Sequence, residues 1–230
     1  MRISVHRSAA PLILLFSLLM ASCATFTDGS SGTGLFSKQE PAPIPENGND
    51  VQKLLIEGAN GLRGAKSINV KGRKFTYDCT GVVLGCYYYA GIDLTLAFPD
   101  YTGNGVSRIY HYLKDSELLY KTEDPAPGDI IFWDNTYDRN GDGEENDYLT
   151  HMGMVVKAEE NGQITYIHAN YRKGIVFEQM NLKRPDVYMD GSETVNSPMR
   201  MKGEKRSPRW LSSHLLKLFG MGYLLTPDAI

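Results

Sequence analysis

Apolar residues recur at helical spacing in three segments of the N-terminal half of the chain. The first segment, VQKLLIEGANGLRGA, follows Asn49 and Asp50, either of which can cap the start of a helix. The second covers about residues 80–90 and ends at Gly91, a residue type common just after a helix. The third covers residues 105–118. These patterns predict three helices before residue 120.

The following segments have the β-branched and aromatic content of strands. APGDIIFWDN predicts a turn and a short buried strand, and THMGMVVKA, QITYIHAN and GIVFEQMN predict three more strands. Asn161 and Gly162 form a hairpin turn signal between the second and third of these four segments. Helices followed by an antiparallel meander predict an α+β fold, with the N-terminal helices packed on a central antiparallel sheet.

The C-terminal segment RWLSSHLLKLFGMGYLL is apolar, and its spacing favours a helix interrupted by glycines. It is too broken for a membrane span. Two interpretations remain, packing against the sheet or contact with a membrane surface. We therefore predict a domain over residues 51–230 that ends in a helical extension.

The first 50 residues have the pattern of a secreted and anchored protein. A basic start leads into the apolar run APLILLFSLLMA, which is typical of a secretory signal over residues 1–22. MASC, ending at Cys23, resembles the lipobox of bacterial lipoproteins, in which the cysteine carries the lipid. Ordinary secretion and an uncleaved anchor are the alternatives. Residues 23–50, rich in Gly, Ser and Pro, predict a flexible tether.

By this resemblance the protein is expected in the cell envelope, held to the membrane by its N-terminal lipid. Ala24 stands where lipoproteins retained at the inner membrane tend to have aspartate, which favours the outer membrane, facing the periplasm. A formal net charge of -3 argues against nucleic acid as a partner. The roughly 180 residues after the tether suit one domain, and we expect a monomer.

Cysteine chemistry is the first candidate function. Cys79 follows Asp78 at the predicted start of the second helix, where free N–H groups and the helix dipole lower a thiol pKa. Cys86, seven residues later on the same helix, would be about 10 Å away, too far for a disulfide. Two free thiols are therefore expected. The alternative for either cysteine is a small buried apolar side chain.

Two histidines lie in neighbouring predicted strands. His151 begins HMGMVV, and His168 lies in ITYIHAN after the hairpin turn. If these strands pair in antiparallel fashion, the two side chains can stand side by side near one end of the sheet. A nucleophile, a base and a residue that orients the base are the parts of a cysteine hydrolase. Asn170 is the alternative to His168 as the orienting residue.

Four motifs in this order resemble the NlpC-type cell-wall cysteine peptidases, which have a papain-like core. The motifs are DCTG at residues 78–81, PGDIIFW at 127–133, HMGMVV from residue 151 and YIHA ending at residue 169. The resemblance implies Cys79 as nucleophile, His151 as general base and His168 as the residue that orients it. The aromatic and Gly-Gly pair that often precede the family's cysteine are missing here, although Tyr77 could replace the aromatic.

The resemblance also implies an activity, cleavage of amide bonds in peptidoglycan stem peptides, for which no cofactor is required. A non-catalytic envelope protein that binds peptidoglycan or a partner is one alternative. A hydrolase of lipid esters or thioesters is another. An intact set of one cysteine and two histidines argues against the first alternative, because a binding module does not need all three.

An acidic loop precedes His151. It contains Asp138, Asn140 and Asp142 at alternate positions before Gly143, the first half of an EF-hand-like calcium loop. The twelfth position is a leucine rather than a glutamate, so Glu144, Asn146 or Asp147 would have to complete the shell. The two interpretations are a structural calcium site and a solvated acidic loop.

Overall fold

The computed structural model describes residues 49–200 and 208–225 of the 230-residue chain. The predicted signal segment, Cys23 and nearly all of the predicted tether lie outside these ranges. Among the described residues, no helix combines the length and the apolar character needed to cross a membrane.

The helices form where the apolar spacing predicts them. The described ranges contain three α-helices: α1 Asp50–Leu62, α2 Cys79–Tyr89 and α3 Gly105–Asp115. Two 3-10 helices, Leu94–Asp100 and Gly222–Leu224, are also present. Each α-helix follows a side chain that accepts a backbone N–H of the first turn, and these caps are Asn49, Asp78 and Asn104. Side-chain capping therefore sets where all three helices begin.

A six-stranded antiparallel sheet forms the centre of the domain, in the order β3-β10-β4-β5-β6-β7. Its strands are β3 Leu119–Tyr120, β4 Ile130–Trp133, β5 His151–Ala158, β6 Gln163–Asn170, β7 Gly174–Asn181 and β10 Leu216–Gly220. Two small hairpins pair β1 Ile68–Val70 with β2 Arg73–Phe75 and β8 Met189–Asp190 with β9 Glu193–Thr194. The α+β prediction, with helices packed on an antiparallel sheet, is confirmed.

Both faces of the central sheet are covered. Helix α2 packs across β5 and β6, and the α-helices share an apolar core with one face of the sheet. On the other face Trp133, Tyr166 and Phe219 pack with Met199 and Leu215 from the chain that follows β7. This double cover explains why all four residues of β4 are buried and why its sequence is apolar without alternation.

The predicted C-terminal helical extension is wrong, because Leu216–Gly220 is a strand, β10, inserted between β3 and β4. Leu218 packs with the helical side of the sheet and Phe219 with the opposite side. The apolar residues of β10 reach both faces of the sheet, so its sequence lacks strict alternation and resembles a buried helix. Of the two earlier interpretations, packing within the sheet is the one observed.

A carboxylate is buried at the entrance to β4. Asp129 is fully buried, and its Oδ2 accepts hydrogen bonds from the Ala126 N–H, at 2.7 Å, and from the Tyr120 hydroxyl. Burial raises the pKa of Asp129 to about 6, although the Tyr120 and Ala126 hydrogen bonds oppose this rise. The folded protein therefore holds a proton on Asp129 over a pH range in which the unfolded chain has lost it.

This difference predicts a pH-dependent stability. The contribution of Asp129 is fully present below the unfolded pKa of 3.8 and is lost as pH rises through about 6. A difference of one between the folded and unfolded pKa values corresponds to about 1.4 kcal/mol. The free energy of unfolding should therefore fall by up to about 3 kcal/mol as the pH rises from 3.8 to about 6. Asp129→Asn should lack this component, as urea unfolding across that pH range would show. A constant difference between the two proteins over the range would contradict the assignment.

Candidate active site

A cleft of about 610 Å³ lies beside the start of α2, and its wall contains all three residues predicted to do chemistry, Cys79, His151 and His168. Tyr77 lines the same cleft, and its hydroxyl donates to the backbone oxygen of Ala65 at 2.9 Å. The cleft therefore combines one thiol and two imidazoles with an aromatic wall, as the motif order predicts.

Helix α2 places the thiol at the cleft. Cys79 is the first residue of the helix, and the Asp78 side chain caps it by accepting the Gly81 N–H at 2.8 Å. A side chain at position 81 is excluded, because a Cβ there would lie 1.8 Å from the backbone oxygen of Thr76. In the DCTG motif, Asp78 caps the helix, Cys79 supplies the thiol and Gly81 allows the close backbone contact. Together they fix the position of the sulfur.

The Cys79 thiol is not a preformed thiolate. Burial raises the pKa of the thiol, the Asp78 carboxylate adds to the rise, and hydrogen bonds from the Met152 backbone and from Thr80 oppose it. The helix start is where we predicted it, but the expectation of a lowered thiol pKa is wrong. Desolvation outweighs the helix N-terminus, so deprotonation of Cys79 requires a base.

His151 is the first residue of β5 and lines the same cleft as the thiol. The N–H of Met152, the next residue along the strand, is the backbone group that contacts the Cys79 sulfur. The His151 ring is half-buried and packs on Trp133, with 5.7 Å between ring centroids. Burial, and then repulsion between adjacent imidazoliums at His151 and His168, holds the pKa of His151 well below its ordinary value of 6.5. His151 is therefore neutral at pH 7 and able to accept a proton.

His168 is hydrogen-bonded to His151, with 2.8 Å between His151 Nε2 and His168 Nδ1 and the two rings perpendicular. The pairing of β5 with β6 brings them together, as predicted from the two strand motifs. Gly153 permits this close approach, since a Cβ there would lie 2.7 Å from the Ile167 backbone oxygen and 3.3 Å from the His168 Cβ. The middle glycine of HMGM thus allows the two histidines to meet.

Asn170, the alternative to His168, occupies a different position. Its side-chain amide donates to Glu178 Oε1 at 3.2 Å, and its side-chain oxygen accepts the backbone N–H groups of Arg172 and Lys173. Asn170 therefore shapes the turn between β6 and β7, and His168 is the residue that contacts His151.

Glu178 is not among the residues predicted from the sequence. It lies on β7, it is only 5% exposed, and its Oε2 is 3.0 Å from His168 Nε2. A sequence signal does exist: a glutamate inside the apolar run GIVFEQM needs a partner if that run is buried. This contact extends the hydrogen-bonded pair of His151 and His168 to Glu178.

The remaining thiol lies away from the cleft. Cys86 is fully buried on α2, where burial raises its pKa to about 12. Both described cysteines are free, as predicted. Cys86 is thus a core side chain.

The acidic loop lies between β4 and β5, and Thr136 and Tyr137 near its start line the cleft. Asp138 accepts the Gly141 and Gly143 N–H groups, and Asp142 accepts those of the Asn140 and Asn146 side-chain amides. The described part of the chain has no group of three or more His, Cys, Asp or Glu side chains suited to hold a metal. The calcium site at Asp138, Asn140, Asp142 and Glu144 stays a prediction.

Comparison with known families agrees with this geometry. A family described as the CHAP domain matches residues 70–170, which include α2, β4, β5 and the residues Cys79, His151 and His168. Residues 70–170 form a CHAP domain. No curated protein and no solved structure gives a significant match to the chain.

CHAP domains are cysteine or amidase hydrolase domains of the papain-like, NlpC-related group, so the predicted resemblance is confirmed. The match to the CHAP domain supports the assignment of this protein as a hydrolase of the cysteine peptidase or amidase class, and it implies peptidoglycan as the substrate. Glu178 lies eight residues beyond the matched CHAP range, on the next strand.

Proposed function

We propose that this protein is a cell-envelope cysteine hydrolase that cleaves amide bonds in peptidoglycan stem peptides with Cys79, His151 and His168. One observation carries the proposal: a thiol at a helix start shares a cleft with a histidine pair whose ring nitrogens are 2.8 Å apart. A protein that only binds peptidoglycan has no use for a neutral imidazole aligned by a second imidazole beside a thiol.

The resting protonation states determine the first step. The raised thiol pKa and the lowered imidazole pKa leave the proton on sulfur and His151 neutral. His151 therefore acts as a general base: it takes the thiol proton as the sulfur attacks the substrate carbonyl carbon. The bond formed is S–C, and the carbonyl π electrons move to oxygen to give a tetrahedral oxyanion.

We place that oxyanion at the start of α2. The first N–H groups of a helix have no partner within the helix, and they favour negative charge. In this proposal the Cys79 N–H donates to the oxyanion. The protonated His151 then gives its proton to the leaving amine as the C–N bond breaks. Water, deprotonated by His151, attacks the thioester and releases the carboxylic acid and the free thiol.

The proposal predicts that hydrolysis depends on Cys79 and His151. Purified protein incubated with peptidoglycan should release muropeptide fragments detectable by chromatography and mass spectrometry. Cys79→Ala and His151→Ala should each lower the rate by at least about 10³-fold, because the first lacks the nucleophile and the second lacks the base that deprotonates it. Cys86→Ala, which removes the other described thiol, is the matched control and should remain active. Equal release by Cys79→Ala and the unmodified protein would contradict the mechanism, and ester or thioester turnover without peptide cleavage would favour a lipid hydrolase.

We also propose that Cys23 carries a lipid that anchors the domain at the membrane. The MASC motif after an apolar signal supports this, and residues 23–50 are long enough to hold the cleft away from the lipid surface. Expressed in bacteria with radiolabelled palmitate, the protein should incorporate label and sediment with the outer membrane. Cys23→Ser should do neither. Label retained by Cys23→Ser would exclude this site.

For the acidic loop we propose a structural calcium ion that orders the cleft rim and takes no part in the chemistry. Oxygen-bearing side chains at residues 138, 140 and 142 support it, with affinity in the range of extracellular modules, about 10⁻⁴–10⁻³ M. Calcium at about ten times its Kd should then raise the free energy of unfolding by about 1.4 kcal/mol. Asp138→Asn with Asp142→Asn should abolish the rise, and Asp100→Asn, an exposed control, should keep it. No calcium-dependent rise in the unmodified protein would show a solvated loop instead.

A further inference from the structure

Glu178 is a buried carboxylate that the steps above do not use. Transfer of a charge to a protein interior is unfavourable unless the charge is paired and hydrogen-bonded. Its two oxygens meet different partners. Oε2 faces His168 Nε2 at 3.0 Å, and Oε1 accepts from Lys173 Nζ at 2.7 Å and from the Asn170 side-chain amide at 3.2 Å.

This carboxylate is ionised. Burial raises the pKa of Glu178, but hydrogen bonds and charge from His168 and Lys173 outweigh burial and bring the pKa below its ordinary 4.5. An ionised carboxylate only accepts hydrogen bonds. The hydrogen in the contact between Glu178 Oε2 and His168 Nε2 must therefore sit on His168 Nε2.

The tautomer of His151 follows from this assignment. A His168 ring that carries its hydrogen on Nε2 alone presents the lone pair of Nδ1 to His151. The 2.8 Å contact between the rings then needs the hydrogen on His151 Nε2. The lone pair of His151 is consequently on Nδ1, the ring nitrogen not engaged by His168. The opposite tautomer of His168 would place the hydrogen on His151 Nδ1 and leave that nitrogen unable to accept a proton.

We propose that Glu178 is a positioning residue that, through His168, fixes the tautomer in which His151 can act as a base. The proposal rests on the proposed function in one respect, the assignment of His151 as the base. Glu178 touches neither the thiol nor the substrate cleft, so it acts only through His168.

The surroundings agree with a role in charge balance as well as tautomer choice. When His151 accepts the thiol proton, it becomes positively charged. His168 lies between His151 and the Glu178 carboxylate, whose negative charge balances that positive charge. The titratable groups nearest these side chains include Tyr166, whose ring packs edge-on against His168, and Lys173. The same cleft is also lined by further titratable groups: Lys66, Tyr77, Asp78, Cys79, Tyr137, Tyr171 and Arg172. Lys173 is 59% exposed, so water screens its charge, whereas Glu178 is enclosed.

Glu178→Gln is a sharp test because the structure dictates how the amide must lie. Lys173 and Asn170 both donate to the Oε1 position and hold the amide oxygen there, so the amide NH₂ faces His168 Nε2. His168 must then accept at Nε2 and carry its hydrogen on Nδ1, which imposes the inactive tautomer on His151. We expect kcat/KM to fall by about 10³-fold, as when a charge that selects a catalytic tautomer is replaced by its amide.

The tautomers are measured directly by long-range ¹H–¹⁵N correlation spectra of the imidazoles. In the unmodified protein both histidines should show hydrogen on Nε2. In Glu178→Gln both should show it on Nδ1, with the melting temperature retained. Glu178→Asp, which keeps the carboxylate, should restore the Nε2 tautomers and part of the activity. Glu159→Gln, the same change at a glutamate outside the cleft, should leave spectra and kinetics unaltered.

Hydrogen on Nδ1 of His168 in the unmodified protein would overturn the proposal, even if Glu178→Gln does not fold. Unchanged tautomers in a folded Glu178→Gln would overturn it too, whatever the activity. The spectra need no substrate, so they test the role of Glu178 separately from peptidoglycan hydrolysis. Loss of hydrolysis with the predicted tautomers intact would count against the proposed substrate and not against Glu178.

Discussion

The candidate site depends on how the first turn of α2 rests on the end of β5. The N–H of Met152 contacts the Cys79 sulfur, and the side chain of the preceding residue, His151, lines the same cleft. Two glycines allow the approach: Gly81 lets the first turn of α2 meet the Thr76 carbonyl, and Gly153 lets β5 lie close to His168 on β6. Larger side chains at these two positions would move the thiol or separate the imidazoles. The geometry of the site is thus set by backbone contacts more than by the reactive side chains.

Burial gives the site its chemical character. A thiol at a helix start is expected to ionise easily, but here desolvation and the Asp78 charge raise its pKa, and burial lowers that of His151. The two shifts favour a neutral thiol and a neutral imidazole over an ion pair. Proton transfer then accompanies attack on a substrate, and a resting thiol of this kind is less exposed to oxidation than a thiolate. Both consequences follow from the same enclosed position.

Local sequence signals were sufficient for the elements that carry the motifs. Asn49 and Asp78 mark the starts of two helices, and Asn161 and Gly162 mark the β5–β6 hairpin. That hairpin places His151 beside His168. The thiol pKa was predicted in the wrong direction because burial depends on the tertiary packing of α2. β10 was mistaken for a helix because a strand covered on both faces loses its alternation. The glutamate inside GIVFEQM is a local signal, but identifying His168 as its partner required the β6–β7 register, which no local pattern contains.

The central claim is that His151 activates the Cys79 sulfur. Alkylation by iodoacetamide at neutral pH, followed by peptide mass spectrometry, reports the rate at Cys79 with buried Cys86 as an internal reference in the same molecule. We predict that Cys79 is labelled far faster than Cys86 and that His151→Ala slows labelling of Cys79 at least about tenfold, in line with the contribution of a general base. Equal labelling of Cys79 with and without His151 would contradict the account.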